Sequence, residues 1–242
     1  MRESFQLQVP RFAQPDAVTC GPTSLFSVYR YYGIDIGLDE VIAETPRNPD
    51  GGTLAVYLAI AAIRRGFHTV LYPYNLRVFD PTWYSLPPEA LAEKLDKRAR
   101  FVRSKKLRGA LFAYRQYLRL GGQLRFEELT MDLLTDILDR SHPVLTGLSA
   151  TYLYREMRER QDVMIDDDIR GEPTGHFVVV TGYTHRGREL TVCDPLSVLA
   201  FGGSGSYSVP APRLLNSILL GDITYDAVLL ELWPAPAQRR SP

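Results

Sequence analysis

Apolar residues recur at close to helical spacing after Cys20, at Leu25, Phe26, Val28, Tyr29 and Tyr32, before Gly33 stops the run. The spacing predicts a buried helix whose first turn carries Cys20. The same pattern predicts helices over 38–45, 54–65, 88–99, 104–120, from a Thr130 cap to about 140, and a short one over 214–220. Runs of alternating or β-branched residues predict strands at 67–74, 144–149, from Phe177, from Glu189 and over 225–233, with a weaker candidate at 123–128. Helices dominate the first part of the chain and strands the last. That order predicts an α+β fold in one domain over 1–234, with a helical half to about 141, a sheet half from 142, and a frayed tail at 235–242. In it the cysteine-bearing helix packs on a mostly antiparallel sheet.

Two of those strands bear on chemistry. The runs Gly175-His176-Phe177-Val178-Val179-Val180 and Glu189-Leu190-Thr191-Val192-Cys193-Asp194 are joined by a short turn at Arg186-Gly187-Arg188 and read as an antiparallel hairpin. His176 opens the first strand and Asp194 closes the second, so pairing sets the two side chains at one end, where a carboxylate orients an imidazole. At the other end of the chain, the amides and dipole of a helix N-terminus favour a thiolate at Cys20. Pro22 fits that first turn, where its missing N–H costs nothing. Gln14, six residues before Cys20, offers an amide to an oxyanion.

Gln14 ahead of Cys20-Gly21-Pro22-Thr23-Ser24-Leu25, with His176-Phe177-Val178-Val179-Val180 and Asp194-Pro195, resembles the papain-like cysteine peptidases that trim double-glycine leaders from bacteriocins, and more closely their stand-alone bacterial relatives. The resemblance implies a papain-like fold, Cys20 as nucleophile, His176 as base, Asp194 as orienting acid and Gln14 in the oxyanion hole. It implies a peptide or amide substrate attacked through an acyl-enzyme. It covers the two ends of the chain; the middle matches only in helical character, and the charged insertion at 152–172 is longer than the family's connection. That insertion reads as a solvated flap folding over the cleft to select substrate.

Length and composition fit this picture. The 242 residues, 45% hydrophobic, are ample for a packed core. The 28 basic and 28 acidic residues cancel, so the chain as a whole has no field favouring nucleic acid or an anionic membrane, and neither is expected as a partner. The first residues hold no apolar signal core and no run reaches the ~18 residues of a membrane span, which makes a cytoplasmic enzyme the default. Two cysteines, Cys20 and Cys193, make no disulfide framework, and alternation points Cys193 into the core if Asp194 faces the site. No cofactor or metal is expected. Gly51-Gly52-Thr53 lacks the lysine of a nucleotide loop and reads as a helix cap, and Asp166-Asp167-Asp168 lacks the spacing of a calcium loop. His68 reads as a strand residue and His142 as a turn boundary before Pro143. The basic run from Lys94 to Arg108 reads as a solvated helix face, and Gly202-Gly203-Ser204-Gly205 as a hairpin connection. The residues leave three outcomes open: hydrolysis, transfer of the acyl group to an amine on the same site, or a catalytically silent peptide-binding module. A scaffold built on the basic helices is the reading furthest from these.

Overall fold

The computed structural model describes residues 2–48, 51–160, 162–196, 205–221 and 227–235. The expected tail beyond 235, most of the connection at 202–205 and the start of the last strand lie outside them.

The long strands are apolar on both faces, and this decides the architecture. In β7 (Gly175–Thr184), Phe177 and Val179 join one hydrophobic cluster while Val178 and Val180 join another. In β10 (Val228–Pro234), Leu230 and Leu232 face the first cluster and Leu229 the second. A sheet of this kind needs cover on both sides. On one side lie α1 (Cys20–Tyr31), α3 (Ala55–Arg64), α4 (Pro88–Ala99) and α5 (Lys105–Arg119). On the other lie α6 (Met131–Asp139), α7 (Ala150–Tyr154) and α8 (Ala211–Leu220). Each Val, Leu or Phe so enclosed contributes about 1.5–3 kcal/mol. The result is α+β as expected, with the cysteine-bearing helix on the sheet and helices added on the second face. The short α2 (Leu38–Glu44) packs beside α1.

The sheet runs β3 (Gln123–Leu124), β2 (Phe67–Pro73), β10, β4 (Val144–Ser149), β7, β8 (Glu189–Cys193), β9 (Ser206–Pro210). Every neighbour pair is antiparallel except β2 with β3. β1 (Phe5–Gln6) lies beside the far half of β7, past the point where β4 ends. At Gly182 a Cβ would stand 2.4 Å from Phe5 O, so this approach requires glycine. The β7–β8 hairpin contains a bulge at Thr181, which restores Tyr183 to the face of Val180. Its turn passes through His185, Arg186 and Gly187, all with positive φ.

Four sequence readings change. The segment from Tyr152 is not flap throughout: Leu153 and Tyr154 are buried in α7, which Ser149 caps by accepting from Tyr152 N. Five residues are too few for a helical period to register. Beyond it, β5 (Glu159–Arg160) and β6 (Ile165–Asp166) pair as a small separate hairpin. Thr53 caps nothing: its hydroxyl donates to Pro46 O, and the residue at the start of α3 is Leu54. β9 went unread, and α8 begins at Ala211, because Pro212 is tolerated in its first turn.

Candidate active site

The start of α1, the start of β7 and the end of β8 meet at one end of the sheet. Cys20 is the first residue of α1, where the backbone N–H groups have no partner within the helix. One turn on, Ser24 Oγ donates to Phe177 O at 3.1 Å and ties α1 to β7 one residue past His176. Gly21 makes this docking possible. A Cβ there would meet Thr53 Cγ2 at 2.5 Å and Phe177 at 3.2 Å, so only glycine lets the helix start approach so closely.

His176 pairs across the sheet with Leu148, and Asp194 follows the last residue of β8. His176 Nε2 lies 2.9 Å from Asp194 Oδ1. With Nε2 so engaged, Nδ1 is the ring nitrogen left for another partner. Burial by itself pushes the His176 pKa down. Hydrogen bonds to Asp194 and Cys20, and the charges of both, outweigh it and raise the value from 6.5 to about 10. The direction of that shift favours the imidazolium form of His176.

Asp194 is fully enclosed. Burying a carboxylate costs several kcal/mol unless its lone pairs are filled, and here four donors fill them. His176 Nε2 and Leu196 N, at 2.9 Å each, bond Oδ1; the hydroxyls of Tyr154 and Tyr207, at 2.6 and 2.7 Å, bond Oδ2. At about 1.5–3 kcal/mol for each charged hydrogen bond, the donors win. Burial raises the Asp194 pKa, yet His176, Tyr154 and the backbone hold it at about 2. Burial and the adjacent carboxylate drive both tyrosines far above 10, so they remain donors.

Gln14 reaches this end through the chain's N-terminal segment. Its backbone N donates to Pro195 O at 2.8 Å, and Arg11 donates to Asp194 O and Leu196 O at 3.1 and 2.5 Å. The Gln14 side chain donates from Nε2 to Asp16 O at 2.8 Å, and its buried Oε1 has no partner. An amide nitrogen carries two hydrogens, so one remains for another acceptor.

The other sequence candidates lie elsewhere. Cys193 is buried on the α1 side of the sheet, and burial, with Asp194 adding to it, pushes its thiol up to about 11; it and Cys20 are both free. His142 is more than a turn boundary: its Nδ1 lies 2.7 Å from the buried Glu231 of β10. His68 sits in β2 with its ring 5.5 Å from Trp233. The Asp167 carboxylate is occupied by Ile169 N, Arg170 N and the Arg170 guanidinium. Tyr154, Tyr207 and Arg11 were not singled out in the sequence. The buried pair Leu153-Tyr154 inside a polar stretch was a signal for the first; nothing local marks the other two.

A sheet whose end brings together a thiol, an imidazole and a buried carboxylate belongs with the cysteine peptidases in class. The chain is a member of the Peptidase_C39-like family, whose family model matches residues 85–208 and so takes in His176 and Asp194; Cys20 and Gln14 precede the matched stretch. Among solved structures, it is similar to a double-glycine motif protease from an AMS/PCAT transporter, in complex with its leader peptide, at 16% identity over 95% of this chain and 94% of that one, TM-score 0.45. It is similar to the peptidase domain of Streptococcus ComA, a bi-functional ABC transporter of a quorum-sensing pathway, at 15% identity over 94% and 100%, TM-score 0.44. Xylellain, a cysteine protease from Xylella fastidiosa, aligns at 12% identity over 97% and 87%, TM-score 0.48. No curated protein matches the chain. No helix among the described residues is long and apolar enough to cross a membrane.

Proposed function

We propose that the protein cleaves a peptide or amide bond with Cys20 as nucleophile, His176 as acid and base, Asp194 as its orienting carboxylate, and Gln14 with the Cys20 backbone N–H as oxyanion donors. The observation that carries this reading is His176 bonded to a fully enclosed Asp194 at the end of the sheet where Ser24 ties the Cys20-bearing start of α1 to β7. The sulfur attacks the carbonyl carbon, and the oxyanion takes hydrogen bonds from the Gln14 amide and the helix N-terminus. His176 then gives its Nδ1 proton to the leaving amine. Water, deprotonated by the neutral imidazole, releases the acid and regenerates the ion pair. An amine in place of water gives transfer, and the same residues serve it.

The test needs no substrate. The alkylation rate of Cys20 is followed against pH by mass spectrometry, with Cys193 as internal control. Cys20 is expected to react rapidly at pH 6, well below the ~8.5 of a free thiol, and His176→Ala to slow it by about tenfold or more. A Cys20 as inert as Cys193 would leave the silent binding module. The hairpin of β5 and β6 is the proposed selector of substrate. Its base is fixed beside the site by Ala150 N to Thr174 O and Thr174 N to Thr151 Oγ1, 2.8 and 2.9 Å. Excising 156–172 is expected to change which peptides are cut and to spare Cys20 alkylation; loss of both together would count against the selector role.

A further inference from the structure

The zero net charge of the chain conceals a segregation. The α4–α5 hairpin, Pro88–Arg119, holds ten Lys or Arg residues against three carboxylates, Glu89, Glu93 and Asp96, so it carries +7 and the remainder −7. The inward face of α5 is apolar and buried, through Leu107, Ala110, Leu111, Tyr114 and Tyr117. Its outward stripe, at spacings of three and four, reads Lys105, Arg108, Phe112, Gln116 and Arg119, all exposed. At the turn between the helices Phe101 is 86% exposed, the highest value of any large apolar side chain among the described residues. Arg100, Arg103 and Lys105 flank it along the chain, and no carboxylate among the described residues lies within ion-pair distance of these three, whereas Arg115 and Lys97 on the same hairpin are paired with Asp96 and Glu93.

We propose that the tip of the α4–α5 hairpin docks on an anionic lipid surface, with Phe101 entering the headgroup layer and Arg100, Arg103 and Lys105 resting on lipid phosphates. An apolar apex flanked by unpaired cations matches the layered chemistry of a bilayer interface. A nucleic acid would use the cations and leave Phe101 without a role, and an acidic protein partner would be expected to meet a pocket where the tip offers a projection. The −7 on the rest of the molecule adds direction, because it favours approach with this end foremost. Docking leaves the candidate site open: α5 packs on α3 and beside β3, and β2, β10 and β4 stand between β3 and β7.

The test is co-sedimentation of the whole protein with vesicles of phosphatidylcholine containing about a quarter phosphatidylglycerol, against phosphatidylcholine alone. Binding is expected only with phosphatidylglycerol and is expected to weaken as salt shortens the Debye length. Phe101→Ser should reduce affinity about tenfold through lost apolar burial. The pair Arg103→Glu with Lys105→Glu should reduce it at least about 25-fold, at roughly fivefold per cation. Both variants should keep the wild-type melting temperature and Cys20 alkylation rate, since neither touches the site. The proposal is overturned if wild type does not sediment with phosphatidylglycerol vesicles. It is equally overturned if Phe101→Ser binds as wild type does and a duplex oligonucleotide competes fully for the charge-dependent binding.

Discussion

Two imidazole–carboxylate pairs are built into this sheet, and they resemble each other closely. Glu231, in the middle of β10, accepts from His142 Nδ1 at 2.7 Å, Arg140 at 2.8 Å and the Tyr72 hydroxyl at 2.8 Å. Asp194 accepts from His176 at 2.9 Å and from two tyrosines. Burial raises both carboxylates, and their donors bring both back to about 2. They differ in what supplies the positive charge. Beside Glu231 it is a guanidinium, permanently charged and nearly half exposed. At the Asp194 carboxylate the other donors are hydroxyls and a backbone amide, which carry no charge, and the pKa of the imidazole is raised. His142 instead stacks its ring on Trp233, centroids 4.8 Å apart. A histidine against a buried carboxylate is thus not by itself a catalytic signature; the Asp194 end differs in that its guanidinium, Arg11, bonds the backbone O and not the carboxylate, and in that Cys20 is brought to the same end of the sheet.

The strongest way to break the comparison is to remove each carboxylate. Asp194→Ala leaves a buried imidazolium unpaired and is expected to cost about 3–5 kcal/mol, with slower Cys20 alkylation. At 2–4 °C per kcal/mol for a chain of this size, Tm should fall by about 6–20 °C. Glu231→Ala is expected to cost less, about 2 kcal/mol, because Arg140 rehydrates, and to leave alkylation within about twofold. Equal slowing of alkylation by both changes would show that the clusters are not separable. A smaller effect tests how the thiol is delivered. Gly21→Ala should cost about 1–3 kcal/mol by overpacking against Thr53 and should move Cys20 off His176, slowing alkylation. Thr53→Ser removes the offending methyl and keeps the hydroxyl that bonds Pro46 O, so the double variant should recover most of the rate. No recovery would mean that the contact with Phe177 dominates.

The smallest effect is in pH. His176 is raised from 6.5 to about 10, so its contribution to stability is full below 6.5 and is lost as pH rises toward 10. Asp194 is lowered from 3.8 to about 2, so its contribution is full above 3.8 and is lost as pH falls toward 2. The difference in Tm between wild type and Asp194→Asn should therefore be largest between about pH 4 and 6.5 and narrow on either side. Tyr154→Phe, which deletes one donor, should move the acid limb of that window to higher pH. An unchanged acid limb would assign Tyr154 to packing alone.

How legible each part was follows from the distance over which its cause acts. The β7–β8 hairpin is local: β-branched runs and a short turn are visible within twenty residues or so, and its two ends name His176 and Asp194 together. Helix α1 announced itself by period and by Gly33. The second-face helices were partly hidden, since α7 is shorter than any period and α8 starts with a proline in its first turn. Glu231 stands alone in Val228-Leu229-Leu230-Glu231-Leu232-Trp233 and looks like a solvent-facing break in an apolar strand. Its partners His142 and Arg140 are 89 and 91 residues away, and no window along the chain contains them. Tyr207 escaped for the same reason: its hydroxyl matters only once β9 lies against β8. Charge summed over the whole chain likewise hid the +7 of one hairpin.

The strap that Arg11 and Gln14 throw across the turn after Asp194 has a consequence for synthesis. Arg11 and Asp194 are 183 positions apart, and Cys20 leaves the ribosome long before His176 is made. On the roles proposed above, a growing chain would display its nucleophile first, without base, carboxylate or the bonds that place Gln14. Reactivity would then be expected only once the late hairpin arrives and captures the early segment. A truncated or stalled product would carry the cysteine and none of its hazard.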